Sequence, residues 1–413
     1  MVFRYQEIEK VLLMSIIVEI VPPTKKLLII NSDLGEGGVE RIISLLSLHA
    51  PPNWSVLLVL WNKVVKYPLK RGTRIYFIHP YRKPFDFLKS LIDLYAVLLK
   101  EKPDAVMAIK GKSLTLMLFL AGVKRIVRVP ILPVGWHSGL INNFLYRVKM
   151  KLLYRNAHKI IAISSGIKNF LISKLAVNPA KIEVTFNPCD IHLISELSNE
   201  PLDEEEGKIF EHKVLLNVGR LSYEKGQWHL IRVFKLVFEK EPNAKLVIIG
   251  EGPLKSYLEK LILDLGLRDK VHLLGWKPNP FKYMSKSYLF CFPSLLEGFP
   301  NAVIEALACS LPVMSSDCFS GPREILAPGT SYKVGKLRKP EYGKYGILMP
   351  VMDGKLYSAR DPLTWQERVW ATEIAKLLKK PEKLEEYRKM GPRRAADFDI
   401  SKIIPKYFSI FGG

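Results

Sequence analysis

The chain has 413 residues, 48% of them hydrophobic and 25% charged, with 26 Gly and 28 Pro, which excludes a disordered or low-complexity protein and leaves room for two domains with cores of their own. Lys and Arg number 62 against 40 Asp and Glu, a net of +22, which points to anionic partners such as nucleotides, nucleic acid or a membrane surface. The excess is concentrated early: the first 190 residues carry 28 basic and 12 acidic side chains, +16 of the total.

In chain order, VLLMSIIVEIV (11–21) comes first, an apolar run interrupted by Glu19 and too short to span a bilayer. It reads as an extra strand, a loose extension or an interfacial anchor, with Met14 an alternative start that would leave residues 1–13 outside the native protein. Then KLLIIN (26–31), WSVLLVLW (54–61), RIYFIH (74–79), DAVMAI (104–109), KIIAIS (159–164) and KIEVTFN (181–187) read as strands, separated by longer amphipathic segments. A polar, acidic stretch with a proline, SNEPLDEEEG (198–207), reads as the connection between domains. The strand series restarts with KVLLNVGR (213–220), KLVIIGEG (245–252), KVHLLGW (270–276), YLFCFPS (288–294) and LPVMSSD (311–317). Alternating strands and helices of this kind build parallel sheets, so two doubly wound domains are expected: 1–197, a linker at 198–208, and 209–388. The closing segment 389–413 is helical, follows no strand of its own, and is a candidate to cross back to the first domain.

The chemistry-bearing residues fall at strand ends. In NVGRLSYEKG (217–226), Arg220 and Lys225 form a cation pair at a βα turn, suited to neutralising a diphosphate. Two exposed loop cations are the plain alternative. GEGP (250–253) is a second tight βα turn. In EGFPNAVIEAL (297–307), Pro300 suits the first helical position, and Glu305 falls within an apolar run, where it is expected to be buried and in need of a polar partner from the fold or a ligand. GEGG (35–38) is not a complete GxGxxG, and no GxxxxGK[ST] is present, so dinucleotide oxidoreductases and Walker-type ATPases lose support. Cys189, Cys291, Cys309 and Cys318 form no CxxC pair and have no zinc spacing with histidine, which suggests a reducing, cytoplasmic setting. DFD (397–399) imitates a metal-binding DxD but sits in a basic helical context with no strand before it, so no metal site is expected. Arg323 and Glu324 in PREI (322–325) pair beside a loop, where a structural role competes with ligand contact.

Taken together, VGRL, EKG, GEGP, EGFPNAVIEAL and SSDCFSGPREIL resemble glycosyltransferase family 4, retaining enzymes of the GT-B fold that use nucleotide sugars. The resemblance is strongest over 214–326, and its most specific element is the pair Glu297 and Glu305. It is closest to members that transfer N-acetylhexosamines or related sugars from UDP to lipid-linked or polysaccharide acceptors. It implies an α/β fold with two Rossmann-like domains facing across a cleft. It further implies that Glu305 receives the ribose hydroxyls and Glu297 the hydroxyls of the transferred sugar, that the amides of Gly298, Phe299, Pro300 and Asn301 mark a helix start facing sugar and diphosphate, and that Arg220 and Lys225 hold the diphosphate. Trp276 and Lys277 would border the base. In the first domain, Gly37 and Gly38 match the glycine-rich first loop, and His137 in GWHS matches the histidine beside the sugar. The plain alternative for His137 is a structural or surface histidine. No cofactor is implied beyond the nucleotide-sugar co-substrate. A GDP-mannose donor remains an alternative.

KRIVR (124–128) and RVKMKLLYRNAHK (147–159) contribute to the basic excess, the second as an amphipathic segment suited to peripheral contact with an anionic membrane. A basic nucleic-acid-binding protein is the alternative from another class, but no such module is recognisable and no nucleic acid is expected.

Overall fold

The computed structural model describes residues 24–35, 37–80, 86–109, 112–117, 120–131, 140–331 and 336–412. The apolar run 11–21 and His137 lie outside them. By internal packing the chain divides into two units, Met1–Pro188 with Ile400–Gly413, and Cys189–Asp399.

In the first unit the strands are β1 (Lys25–Asn31), β2 (Trp54–Leu60), β3 (Arg74–Phe77), β4 (Ala105–Ala108), β5 (Lys124–Val129), β6 (Lys159–Ala162) and β7 (Ile182–Val184). They form a parallel sheet in the order β3-β2-β1-β4-β5-β6-β7, a doubly wound arrangement that reverses direction between β1 and β4. Central strands covered on both faces need continuous apolar sequence, and Leu27, Leu28, Ile29 and Ile30 of β1 are fully buried. The edge strand β3 can afford exposed Arg74 and Phe77 at its ends.

KRIVR, counted above in the basic excess and not among the expected strands, is most of β5. Ile126 and Val127 fill the core, and Arg128 is buried, donating from Nε to the Tyr407 hydroxyl (3.0 Å) and from Nη2 to Asn187 Oδ1 (2.5 Å). The amphipathic basic segment forms the end of the helix Leu140–Asn156, which buries Met150, Leu153 and Tyr154 and exposes Lys149, Lys151 and Arg155. The C-terminal helix Ile400–Gly412 belongs to this unit. Its Phe408 ring meets Trp54 edge-on at 5.5 Å, Tyr407 and Phe411 are buried with it, and Lys124 Nζ donates to the Ile410 carbonyl (2.8 Å).

The second unit carries β8 (Lys213–Val218), β9 (Ala244–Ile249), β10 (Val271–Leu273), β11 (Leu289–Phe292), β12 (Val313–Ser316), β13 (Glu341–Tyr342) and β14 (Ile347–Met349). Their order is β10-β9-β8-β11-β12-β14-β13, parallel except for β13, and it reverses between β8 and β11. Strands β13 and β14 carry no counterpart in the sequence reading: two and three residues are too short to show a period.

The acidic stretch read as a linker is part of this unit. Asp203 caps the helix Glu204–Phe210 by accepting from Glu206 N (3.0 Å), and three glutamates in its first turn suit the positive end of the helix. Asn279 Nδ2 donates to the Leu197 carbonyl (2.8 Å), Ser285 Oγ to that of Ser198 (2.7 Å) and the Tyr283 hydroxyl to Glu206 Oε2 (2.5 Å). The unit boundaries therefore fall at 188/189 and 399/400, about ten residues before and after those expected.

Candidate functional site

Loops at the carboxyl ends of parallel strands diverge where the strand order reverses, leaving a crevice there. In the second unit that point lies between β8 and β11. The loop after β8 closes through the short 3-10 turn Tyr223–Lys225 and Gly226, left-handed at φ 64, into the helix Gln227–Lys240. A Cβ at Gly226 would stand 2.7 Å from the Pro293 carbonyl, and Leu295 N donates to the Glu224 carbonyl (2.8 Å), so the two loops touch through their backbones. The next turn is equally close. Gly250 has φ 147, and a Cβ there would overlap the Gly219 carbonyl; Leu221 N also donates to the Glu251 carbonyl (2.9 Å).

On this backbone frame Lys225 Nζ lies 2.5 Å from Glu297 Oε1, both side chains largely withdrawn from solvent, and the ammonium stands 5.4 Å over the Phe292 ring. The carboxylate is held in turn by its own backbone: Glu297 N donates to the Phe319 carbonyl (3.0 Å) and Ser320 N to that of Glu297 (2.7 Å). Ser320 Oγ donates to the Gly298 carbonyl (3.0 Å). Segment 297–300 is therefore paired with the loop after β12 before the helix Asn301–Ala308 begins. Pro300 is the residue before that helix, at φ −77 and ψ 106, and not its first turn as the sequence suggested; Asn301 opens the helix. Gly298, Phe299 and Pro300 are buried and Asn301 half-buried. Glu305 is buried in the helix as expected, at 6% exposure. Burial, and then the Glu305 charge, push the neighbouring Cys309 thiol up.

Arg220 sits at the tip of the first loop with its side chain in solvent, while its carbonyl accepts from Gln227 Nε2 (2.9 Å). Lys277 is engaged elsewhere, 2.6 Å from Glu206 Oε1, and Trp276 is half-exposed. In the first unit Gly37 and Gly38 follow β1 at that sheet's own reversal, Gly38 opening the helix Gly38–Leu48. A Cβ at Gly37 would run into the Glu40 carboxylate, whose other oxygen accepts from Asn31 Nδ2 (3.3 Å). Asp397 of the DFD stretch pairs with Arg394 (2.9 Å), and Asp399 Oδ2 accepts from Ile191 N (3.4 Å).

Around this site the structure supplies partners that the motifs did not show. Arg323 pairs with Asp317 and Glu341, both at 2.7 Å. Burial opposes its charge, but the hydrogen bonds it donates to these two carboxylates outweigh that and raise the guanidinium further above its ordinary range. Cys318 is buried beside the pair of Lys225 and Glu297; burial first, and the Glu297 charge second, push its thiol up. Behind the first loop, His229 Nδ1 lies 2.8 Å from Glu367 Oε1, which also accepts from Arg232 Nε (2.9 Å). Burial raises Glu367, but hydrogen bonds from His229, Arg232 and the Thr364 backbone leave it below the usual carboxylate value. Thr364 and Glu367 form a capping box at the start of the helix Trp365–Lys379.

Each unit is a Rossmann-like domain, the second presenting a cation and a carboxylate at its topological switch point, and the pair of parallel-sheet domains is the architecture of GT-B proteins. HepE from Anabaena, solved with UDP and glucose, superposes at TM-score 0.73 with 18% identity over 94% of this chain and 99% of its own. TarM superposes at 0.73 with 14% identity over 96% and 100%. The family model described as glycosyl transferases group 1 matches residues 198–339. An uncharacterised glycosyltransferase of Methanocaldococcus jannaschii is 36% identical over 350 residues, 81% of this chain and 86% of the relative. The chain belongs to this glycosyltransferase family. A Campylobacter jejuni enzyme named N-acetylgalactosamine-N,N'-diacetylbacillosaminyl-diphospho-undecaprenol 4-alpha-N-acetylgalactosaminyltransferase is 31% identical over 313 residues, 73% of this chain and 83% of the relative.

Proposed function

We propose that the protein transfers a sugar, with an N-acetylhexosamine the first to test, from a UDP-sugar to a hydroxyl of a lipid-linked or polysaccharide acceptor with retention of configuration. The observation that carries this reading is the 2.5 Å contact of Lys225 with Glu297 at the switch point. A cation and a carboxylate held by adjoining loops supply unlike ends of one site, one for phosphate oxygens and one for sugar hydroxyls. The Campylobacter relative's name supports the acceptor class and the sugar.

In this reading Lys225 and the solvent-facing Arg220 neutralise the diphosphate, Glu297 receives the sugar hydroxyls, and Glu305 the ribose. The positive end of the helix Asn301–Ala308 faces the sugar and diphosphate. The acceptor oxygen bonds to the anomeric carbon as the bond from that carbon to the phosphate oxygen breaks, and the acceptor's proton passes to the departing phosphate oxygen. The two cations answer the charge that grows on the diphosphate, so no metal is assigned to the step. Gly37, Gly38 and His137 enter on their sequence motifs, His137 beside the sugar. Lys277, engaged with Glu206, keeps its place near the base only if that pair opens.

Lys149, Lys151 and Arg155, exposed on the helix Leu140–Asn156, supply a salt-sensitive contact with anionic membrane. Among the described residues no helix is long and apolar enough to cross a membrane. The test of the donor site is a thermal-shift panel of UDP, GDP, ADP and their sugars on the wild type and Glu305→Ala. UDP at a hundredfold excess over its dissociation constant should stabilise the wild type by about 2.7 kcal/mol and the variant much less. Equal shifts would remove Glu305 from the site, and a preference for GDP would overturn the choice of donor.

A further inference from the structure

The helix Asp86–Glu101 of the first unit turns Ser90, Leu94, Val97 and Glu101 into the core. On its other side Leu88, Ile92, Tyr95 and Leu99 follow one another at spacings of four, three and four, which places them in one line over three turns. They are 61, 60, 36 and 74% exposed. Single exposed apolar residues are ordinary on a protein surface, but a continuous stripe of four large ones marks an interaction face.

The charges on this helix are sorted as well. Glu101 is buried, taking Lys26 at 3.1 Å, Arg74 at 2.8 Å and the Tyr76 hydroxyl. Asp93 accepts from His79 N (2.8 Å), and Asp86 lies 3.6 Å from His79 Nε2. All three carboxylates are thus committed to the unit itself. Lys89 and Lys100 remain exposed beside the stripe, and Lys102 just beyond it.

We propose that this face is inserted into the surface layer of an anionic bilayer, with Leu88, Ile92, Tyr95 and Leu99 among the upper acyl chains and Lys89, Lys100 and Lys102 on lipid phosphates. Apolar side chains with lysines beside them complement such a surface. A second copy of the chain is a poorer occupant, because pairing two of these faces would bring their exposed lysines together. The stripe adds an apolar, salt-resistant component to the electrostatic contact proposed for Lys149, Lys151 and Arg155, and it does not depend on which sugar is transferred.

The experiment is flotation of the full chain with vesicles of phosphatidylglycerol and phosphatidylcholine, and of phosphatidylcholine alone, at low and high salt. The wild type should float with the anionic vesicles and keep part of its binding at high salt. Ile92→Ser with Leu99→Ser should lose that salt-resistant part, on the order of tenfold or more in partitioning, with an unchanged melting temperature because both positions are exposed. Lys149→Glu with Lys151→Glu and Arg155→Glu should lose only the salt-sensitive part. The indole introduced by Leu99→Trp should shift its emission to the blue on mixing with anionic vesicles. Wild-type flotation by the double serine variant would overturn the inference while leaving the basic contact standing. A wild-type dimer in light scattering that those serines convert to monomer would overturn it in favour of self-association.

Discussion

Lys225→Met and Glu297→Gln test the donor site from its two sides. At 2.5 Å, with side chains 21 and 10% exposed, the pair sits where water screens poorly. A charge-assisted hydrogen bond is worth about 1.5–3 kcal/mol, and a diphosphate that recruits Lys225 must share or displace its bond to Glu297. Lys225→Met should therefore weaken UDP binding by roughly 10- to 100-fold, the equivalent of about 1.4–2.8 kcal/mol. Transfer should fall further, on the order of 10²–10³ in kcat, because the leaving diphosphate loses a cation as its charge grows. Glu297→Gln frees the ammonium, so UDP should bind at least as tightly as to the wild type while sugar transfer drops. Isothermal titration with UDP, with a UDP-sugar and with each variant reads the binding side; a discontinuous UDP-release assay reads kcat. An unchanged dissociation constant for UDP in Lys225→Met, or equal weakening in both variants, would refute the assignment of diphosphate to one end and sugar to the other.

Arg323→Leu should cost about 3–5 kcal/mol in urea unfolding, since it strands the buried Asp317; a loss below 1 kcal/mol would show that water reaches the pair. Burial works against ionisation of Glu101, but hydrogen bonds from Tyr76, Arg74 and Lys26 outweigh it and hold its carboxyl at about 2, below the usual 4.5. A depressed carboxylate stabilises the fold above 4.5 and loses that contribution as pH falls from there toward 2. With Lys26 and Arg74 partly in solvent, the contribution is discounted to about 1–2 kcal/mol, and Glu101→Gln should flatten the acid limb of a melting-temperature profile over that window. Phe408→Ala should destabilise the first unit by about 3–5 kcal/mol, read as loss of Trp54 fluorescence change at lower urea, because the C-terminal helix supplies part of that unit's core.

What the sequence by itself determined was local. Runs such as Leu27 to Ile30 and Val214 to Leu216 can only be covered strands, and the glycines of GEGP at a strand end announce a turn where backbone meets backbone. The spacing of Glu297 and Glu305 placed one carboxylate in a loop and the other on a buried helical face, which is how they stand. Only the tertiary structure decided which distant group meets each charge. Lys225 has Glu297, Lys277 has Glu206, Arg323 has Asp317 and Glu341, and Arg128 lies inside a strand that its charged neighbours disguised as surface. It also decided that an acidic stretch reading as linker is a capped helix bound to its unit, and that the last helix completes the core around Trp54. The physical reason is that hydrophobic period and turn chemistry act between neighbours along the chain, whereas a buried charge is satisfied by whatever the fold brings to it, from dozens or hundreds of residues away.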